Sequence, residues 1–289
     1  MNLKIPGYEE TMRAPLVVLV ILTVAAWASG QSETAAPADN LHFRSALAFE
    51  QKGETDKAIH EYQEAIKESP NHADSHYNLA RLLAAKKDYD GAITQYREAL
   101  RIAPDDPDFH NNLGLALKNK GDLDAAANEY REALRFDPKQ ADAHTNLANL
   151  FFQRKDLKSA VAEYRAAIQA DPSRAASHMN LGSALDDSGE TDAAIVEYKE
   201  SIRLDPDNAE AHYNLGISLA KKRDGQGALS ELRASENLDP DWATPHIWLV
   251  TLLMKSDPRG ALDECRIADR LTHDLKLHDL CENLAAKVK

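Results

Sequence analysis

The sequence predicts an all-α solenoid of about seven stacked helix-turn-helix repeats with a C-terminal capping helix. Three observations carry this. A 34-residue period runs through most of the chain, each period holds two amphipathic helical stretches, and the pattern frays only at its two ends. Proline marks the period at Pro70, Pro104, Pro138, Pro172, Pro206 and Pro240, so half of the 12 prolines lie on one lattice. Alanine keeps the same beat at Ala58, Ala92, Ala126, Ala160, Ala194 and Ala228. So does tyrosine at Tyr62, Tyr96, Tyr130, Tyr164 and Tyr198, with Leu232 in the sixth slot.

Residues 107–140 show how one unit works. Leu113, Gly114 and Leu117 share a face of a first helix, and Gly121-Asp122 breaks the pattern at a turn. A second helix carries Ala126, Tyr130 and Ala133 at i, i+4 and i+7, with Leu134 beside them. Asp137-Pro138 ends it, because proline disfavours helical backbone in the residue before it and donates no hydrogen bond itself. Small Gly114 and Ala126 let the two helices approach, and Tyr130 fills the space between them. One hairpin cannot bury its apolar face alone, so neighbours must stack.

The spacing resembles the tetratricopeptide repeat, whose pattern is L-G-x-x-Y, then A, F, A and a closing proline over 34 residues. Seven units align: 39–72, 73–106, 107–140, 141–174, 175–208, 209–242 and 243–271, about four-fifths of the chain. The resemblance implies a right-handed superhelix whose first helices line a concave groove for extended peptides or partner helices. The departures are terminal. Ser45 takes the leucine slot of the first unit. The seventh has a turn one residue short, Cys265 in the aromatic slot and no closing proline. Beyond it, Leu277, Leu280, Cys281, Leu284, Ala285 and Val288 form a helical apolar stripe, so 272–289 is expected to be the cap.

Residues 14–28 are an apolar run preceded by Arg13 and ending in Ala26-Trp27-Ala28, an A-x-A pattern. At 15 residues the run is short of the roughly 20 that span a bilayer. Residues 1–28 are therefore expected to be a signal peptide, or an N-terminal anchor given the acidic Glu9 and Glu10, and 29–38 a flexible linker. Export to the periplasm or exterior follows as an expectation.

Composition narrows the function classes. A net charge of −13 disfavours a nucleic-acid binder, which needs a basic face to displace counterions. A mean hydropathy of −0.51 rules out a polytopic membrane protein. Two cysteines build neither paired CxxC zinc sites nor a disulfide framework, although Cys265 and Cys281 could bridge the last repeat to the cap in an oxidising compartment. No GxSxG, P-loop, HExxH or strand-linked GxGxxG motif occurs. Asp186-Asp187 is a carboxylate pair, but adjacent helical residues point apart, so solvated or groove-rim charge is expected. No enzyme activity, cofactor or metal is expected.

Two ladders run along the first helices. Asparagine recurs at Asn78, Asn112, Asn146, Asn180 and Asn214. An amide offers a donor and an acceptor, so a ladder of them can clasp the main chain of a peptide; local packing is the alternative. The segment Ala211-His212-Tyr213-Asn214-Leu215-Gly216 is similar to repeats of O-linked N-acetylglucosamine transferase, where such a ladder holds substrate peptide. Only about 18 residues follow the seventh repeat, too few for a sugar-nucleotide domain. By the family pattern Tyr77, Arg81, Asn111, Asn149 and Tyr213 also face the groove, as do Phe152, Met179, Asp187 and Lys221.

The second ladder is histidine: His42, His76, His110, His144, His178, His212 and His246, seven of the 11 in the chain. Equivalent positions on neighbouring repeats lie about 10 Å apart, too far to share one metal. The family places a large aromatic here, so imidazole is expected as its packing substitute. Were the rings buried and neutral, acid below about pH 6.5 would destabilise the fold. The predicted function is a protein-interaction scaffold with an unidentified protein or peptide partner. Self-association, or service as an accessory subunit of an envelope secretion, pilus or polysaccharide machine, are the rivals.

Overall fold

The computed structural model describes residues 40–288, and the expected signal peptide and linker lie outside them. Among the described residues there are fifteen helices and no strand. In order they are α1 Leu41–Gln51, α2 Thr55–Glu68, α3 Ala73–Ala85, α4 Tyr89–Ile102, α5 Pro107–Lys120, α6 Leu123–Phe136, α7 Ala141–Gln153 and α8 Leu157–Ala170. There follow α9 Ala175–Asp187, α10 Thr191–Leu204, α11 Ala209–Lys221, α12 Gly225–Leu238, α13 Ala243–Leu253, α14 Pro258–Thr272 and α15 Leu275–Val288. No helix among the described residues is long and apolar enough to cross a membrane.

Each pair is set by three local devices. An aspartate opens most second helices: Asp88, Asp122, Asp156, Asp224 and Asp257 each accept from the backbone N–H three residues on, satisfying a donor that the helix cannot. Glu54 and Glu190 occupy the same slot without such a bond. The hairpin turn needs one left-handed residue, which is Gly53, Gly121 and Gly189 in alternate repeats and Lys87, Lys155 and Arg223 in the others. The third device is close approach. A Cβ on Gly114 would stand 2.6 Å from Cε1 of Tyr130, so only glycine lets α5 lie this close to that ring.

The core is a column between the two helix layers. Tyr62, Tyr96, Tyr130, Tyr164, Tyr198 and Leu232 are buried along it, flanked by the periodic alanines and leucines. Helices touch their chain neighbours, and first helices also touch the first helix of the next repeat, as in α3–α5, α5–α7 and α9–α11. Stacked hairpins bend toward the side on which successive helices approach most closely. The odd-numbered helices therefore line the inner face. At the C-terminus, α15 packs Leu277, Cys281 and Leu284 against Val250, Leu262 and Ala268, and Cys265 is disulfide-bonded to Cys281 with Cα atoms 5.6 Å apart.

Candidate functional site

The inner face is built from the half-buried positions of the odd helices. The asparagine ladder divides there into two kinds of residue. Asn112 donates through Nδ2 to the Tyr77 hydroxyl at 3.2 Å and to the Asp108 carbonyl at 2.9 Å. Asn146 donates to Oδ1 of Asn111 at 3.0 Å. The Asn112–Tyr77 and Asn146–Asn111 bonds join consecutive first helices, so these amides stitch one repeat to the next. Asn78, Asn180 and Asn214 are half-buried and have no side-chain hydrogen-bond partner among the described residues.

The remaining groove candidates separate in the same way. Asn111 is buried, and Oδ1 of Asn149 accepts from the Tyr164 hydroxyl at 2.6 Å. Tyr77 stacks on Phe109 with ring centroids 4.7 Å apart. Arg81 is exposed and paired with Glu50, whose carboxylate also accepts from Tyr62. Tyr213 packs at 4.7 Å against Trp242 and joins a cluster with Ile217 and Trp248. These two tryptophans were not singled out in the sequence. Their signal was the unusually apolar stretch of α13, whose polar face is almost absent.

Asp186 is not solvated rim charge. Its side chain is 10% exposed, and its oxygens accept from Thr191, Ser218 and Lys221, the last at 2.7 Å. The carboxylate thereby ties α9 to α11, which adjacency in sequence alone does not show. Lys221, a groove candidate, is engaged by that contact. Asp187 pairs with Lys155 at 3.1 Å.

The histidine ladder packs between the helices, with His76, His178 and His246 buried and His110 stacked on Phe136, and it is also a set of polar staples. In every repeat Nδ1 lies 2.7 Å from a side-chain oxygen of the paired second helix: Glu61, Gln95, Glu129, Glu163, Glu197, Glu231 and Glu264. In the last six, Nε2 lies 3.1–3.2 Å from the carbonyl of the proline six residues earlier. A neutral imidazole donates from one nitrogen only, so at His110 and His144 the two facing acceptors favour the doubly protonated ring. At His42 and His144 the glutamate hydrogen bond is the main influence, and it raises the ring above its ordinary pKa. At His110 burial opposes ionisation, but the bonds to Glu129 and the Pro104 carbonyl outweigh it and the pKa is again raised. At these three positions each imidazole is placed against a carboxylate, so the fold favours the charged ring rather than a buried neutral one.

Comparison with known proteins fits this architecture. Tetratricopeptide repeat models match residues 43–107, 111–175 and 184–222. The chain belongs to the tetratricopeptide repeat family. No curated protein matches the sequence closely. Among solved structures, the C-terminal part of a repeat-containing protein of this family from Cytophaga hutchinsonii is 16% identical over 82% of this chain and 98% of its own, with a TM-score of 0.66. PilF of Pseudomonas aeruginosa is 20% identical over 73% of this chain and 96% of its own, at 0.65. YrrB, described as a tetratricopeptide repeat protein with an unusual peptide-binding site, is 23% identical over 62% of this chain and 93% of its own, at 0.54. At these identities the likeness is one of fold.

Proposed function

We propose that the protein is an exported, non-enzymatic scaffold that holds the main chain of a peptide or partner helix on the inner face of the fifth to seventh repeats. The observation that carries this reading is the pair Asn180 and Asn214. Their amides lie on consecutive first helices, half-buried and without a side-chain partner among the described residues, beside Met179 and Tyr213. A half-buried amide with no protein partner leaves a donor and an acceptor open to a ligand, and a peptide unit supplies both complements. Tyr213, Trp242 and Trp248 add the aromatic surface that peptide grooves commonly use. YrrB, of similar fold, supports a peptide as the ligand class.

Export is supported by the apolar run 14–28 with its Ala26-Trp27-Ala28 ending and by the Cys265–Cys281 bond, since disulfides persist mainly in oxidising compartments.

The test is crosslinking capture from the envelope fraction with two double variants of matched helical circular dichroism. Asn180→Ala with Asn214→Ala is expected to lose the partner while leaving the melting temperature nearly unchanged. Asn112→Ala with Asn146→Ala is expected to destabilise the fold by about 1 kcal/mol per lost hydrogen bond. A partner retained equally by the first variant would sink the reading.

A further inference from the structure

Glu236 breaks a rule that the preceding repeats obey. Its position in the second helix is Ile66, Leu100, Leu134, Ile168 and Ile202 in repeats one to five, always a branched aliphatic side chain. Those residues are partly buried and packed into the core. A carboxylate in such a slot costs stability unless something compensates it.

What it faces is the seventh histidine. Nδ1 of His246 lies 2.7 Å from Oε2 of Glu264 and 3.9 Å from Oε1 of Glu236. One ligand atom from each of the three residues falls within 4.8 Å of the others. The histidine side chain is only 2% exposed, and Glu264 and Glu236 are at 13% and 23%. Among the described residues neither glutamate forms an ion pair with lysine or arginine. The other six histidines meet one side-chain oxygen at Nδ1, and this one meets two.

The orientation of the ring matters as much as the distances. Nε2 of His246 faces the Pro240 carbonyl at 3.2 Å. With Nε2 on that carbonyl, Nδ1 is the ring atom directed at the two carboxylates, and a divalent ion would take the place of the Nδ1 proton while keeping the outer bond that metal-ligating histidines usually have. A proton on Nδ1 can bridge to one oxygen only, whereas a divalent ion would meet all three atoms. The cluster borders an open pocket of about 370 Å³ lined also by Pro240, Asp241, Ile267 and Arg270, with room for a water as fourth ligand.

We infer that Glu236, His246 and Glu264 form a divalent-cation site suited to Zn2+, which joins α12, α13 and α14 at the C-terminal end of the stack. One nitrogen and two carboxylate oxygens with an open fourth position match the borderline character of that ion better than that of Ca2+ or Mg2+, which take oxygen shells.

The experiment is calorimetric and thermal titration of the EDTA-treated full chain with Zn2+, comparing wild type, Glu236→Gln and Glu236→Ile. The isoleucine variant restores the residue type of the other repeats, so it keeps the fold. Wild type is expected to bind one Zn2+ at this site, with a melting temperature that rises with Zn2+ concentration. Both variants should melt at or above the metal-free wild type and lose the rise. No Zn2+-dependent rise in wild type, or an equal rise in the two variants, would overturn the site and assign any uptake to exposed histidines.

Discussion

His144 and Glu163 face each other across the hairpin of α7 and α8, Nδ1 to Oε2 at 2.7 Å, while Nε2 of the same ring faces the Pro138 carbonyl at 3.1 Å. The ring therefore bridges its partner helix and the loop before its own helix. A pKa raised in the folded state above the ordinary value near 6.5 means that folding takes up protons here. The same holds at His42 and His110. Their contribution to stability is complete below about pH 6.5 and is lost as pH rises through the folded values. Thermal melts should show a midpoint that falls as pH rises above 6.5. Glu129→Gln with Glu163→Gln, which copies the natural His76–Gln95 pair, should flatten that slope. A midpoint that rises with pH over this range would refute the assignment.

Buried hydroxyls offer a second test. The Tyr130 hydroxyl is buried without a hydrogen-bond partner among the described residues, whereas Tyr164 donates to Asn149 and Tyr198 to Ser183. The position that would serve Tyr130 is Leu115, 34 residues before Asn149. An unsatisfied buried polar group costs about 1–3 kcal/mol. Tyr130→Phe should therefore be neutral or stabilising in chemical denaturation, and Tyr164→Phe destabilising by about 1 kcal/mol. Ser201→Ala belongs with the first case, since its hydroxyl is likewise unpaired in a slot that is alanine in the first four repeats.

The hairpin turns predict their own improvement. Lys87, Lys155 and Arg223 hold φ of 61–65° where Gly53, Gly121 and Gly189 stand in the alternate repeats. A left-handed conformation strains a residue with a Cβ by about 1–2 kcal/mol, partly offset by the greater unfolded-state entropy of glycine. Each change to glycine should raise stability by about 0.5–1 kcal/mol. Gly121→Ala should do the opposite although its Cβ would meet no atom within 4 Å, which isolates backbone strain from crowding.

The cap provides a fourth. The Cys265–Cys281 bond closes a separation of 16 residues and joins α14 to the last helix. A loop of this size corresponds to about 3 kcal/mol of lost unfolded-state entropy. Reduction should raise amide hydrogen exchange first in α15, where Leu277, Leu280 and Leu284 hold a small separate cluster, and leave α3 to α8 unchanged. Uniform loosening of all repeats would show that the cap and the repeats unfold as one unit.

Much of the fold is legible because a repeat protein states each local rule several times. The Pro70 to Pro240 lattice, the tyrosine column and the Gly114–Tyr130 approach could all be read before any coordinates. The inner face was less legible. Asn112 and Asn180 share a repeat position, yet one donates to Tyr77 of the preceding repeat and the other has no partner among the described residues. The difference lies in the residue 35 positions earlier, tyrosine in one case and Thr145 in the other. Asp186 similarly looked solvated until Ser218 and Lys221 of the next repeat were seen to close over it.

The sequence by itself determined the period, the helix pairs, their order and the family, because these depend on side-chain spacing along a single chain. Only the tertiary structure decided which amides are satisfied, which carboxylates meet the histidines and how the cap is tied. Those outcomes depend on pairs 10 to 35 residues apart meeting within about 4 Å. Periodicity records that such positions are neighbours, but hydrogen bonding and charge are settled by which atoms face which. His246 makes the point: its repeat position predicts a staple to Glu264, and only the packing of α12 against α13 brings Glu236 to the same nitrogen.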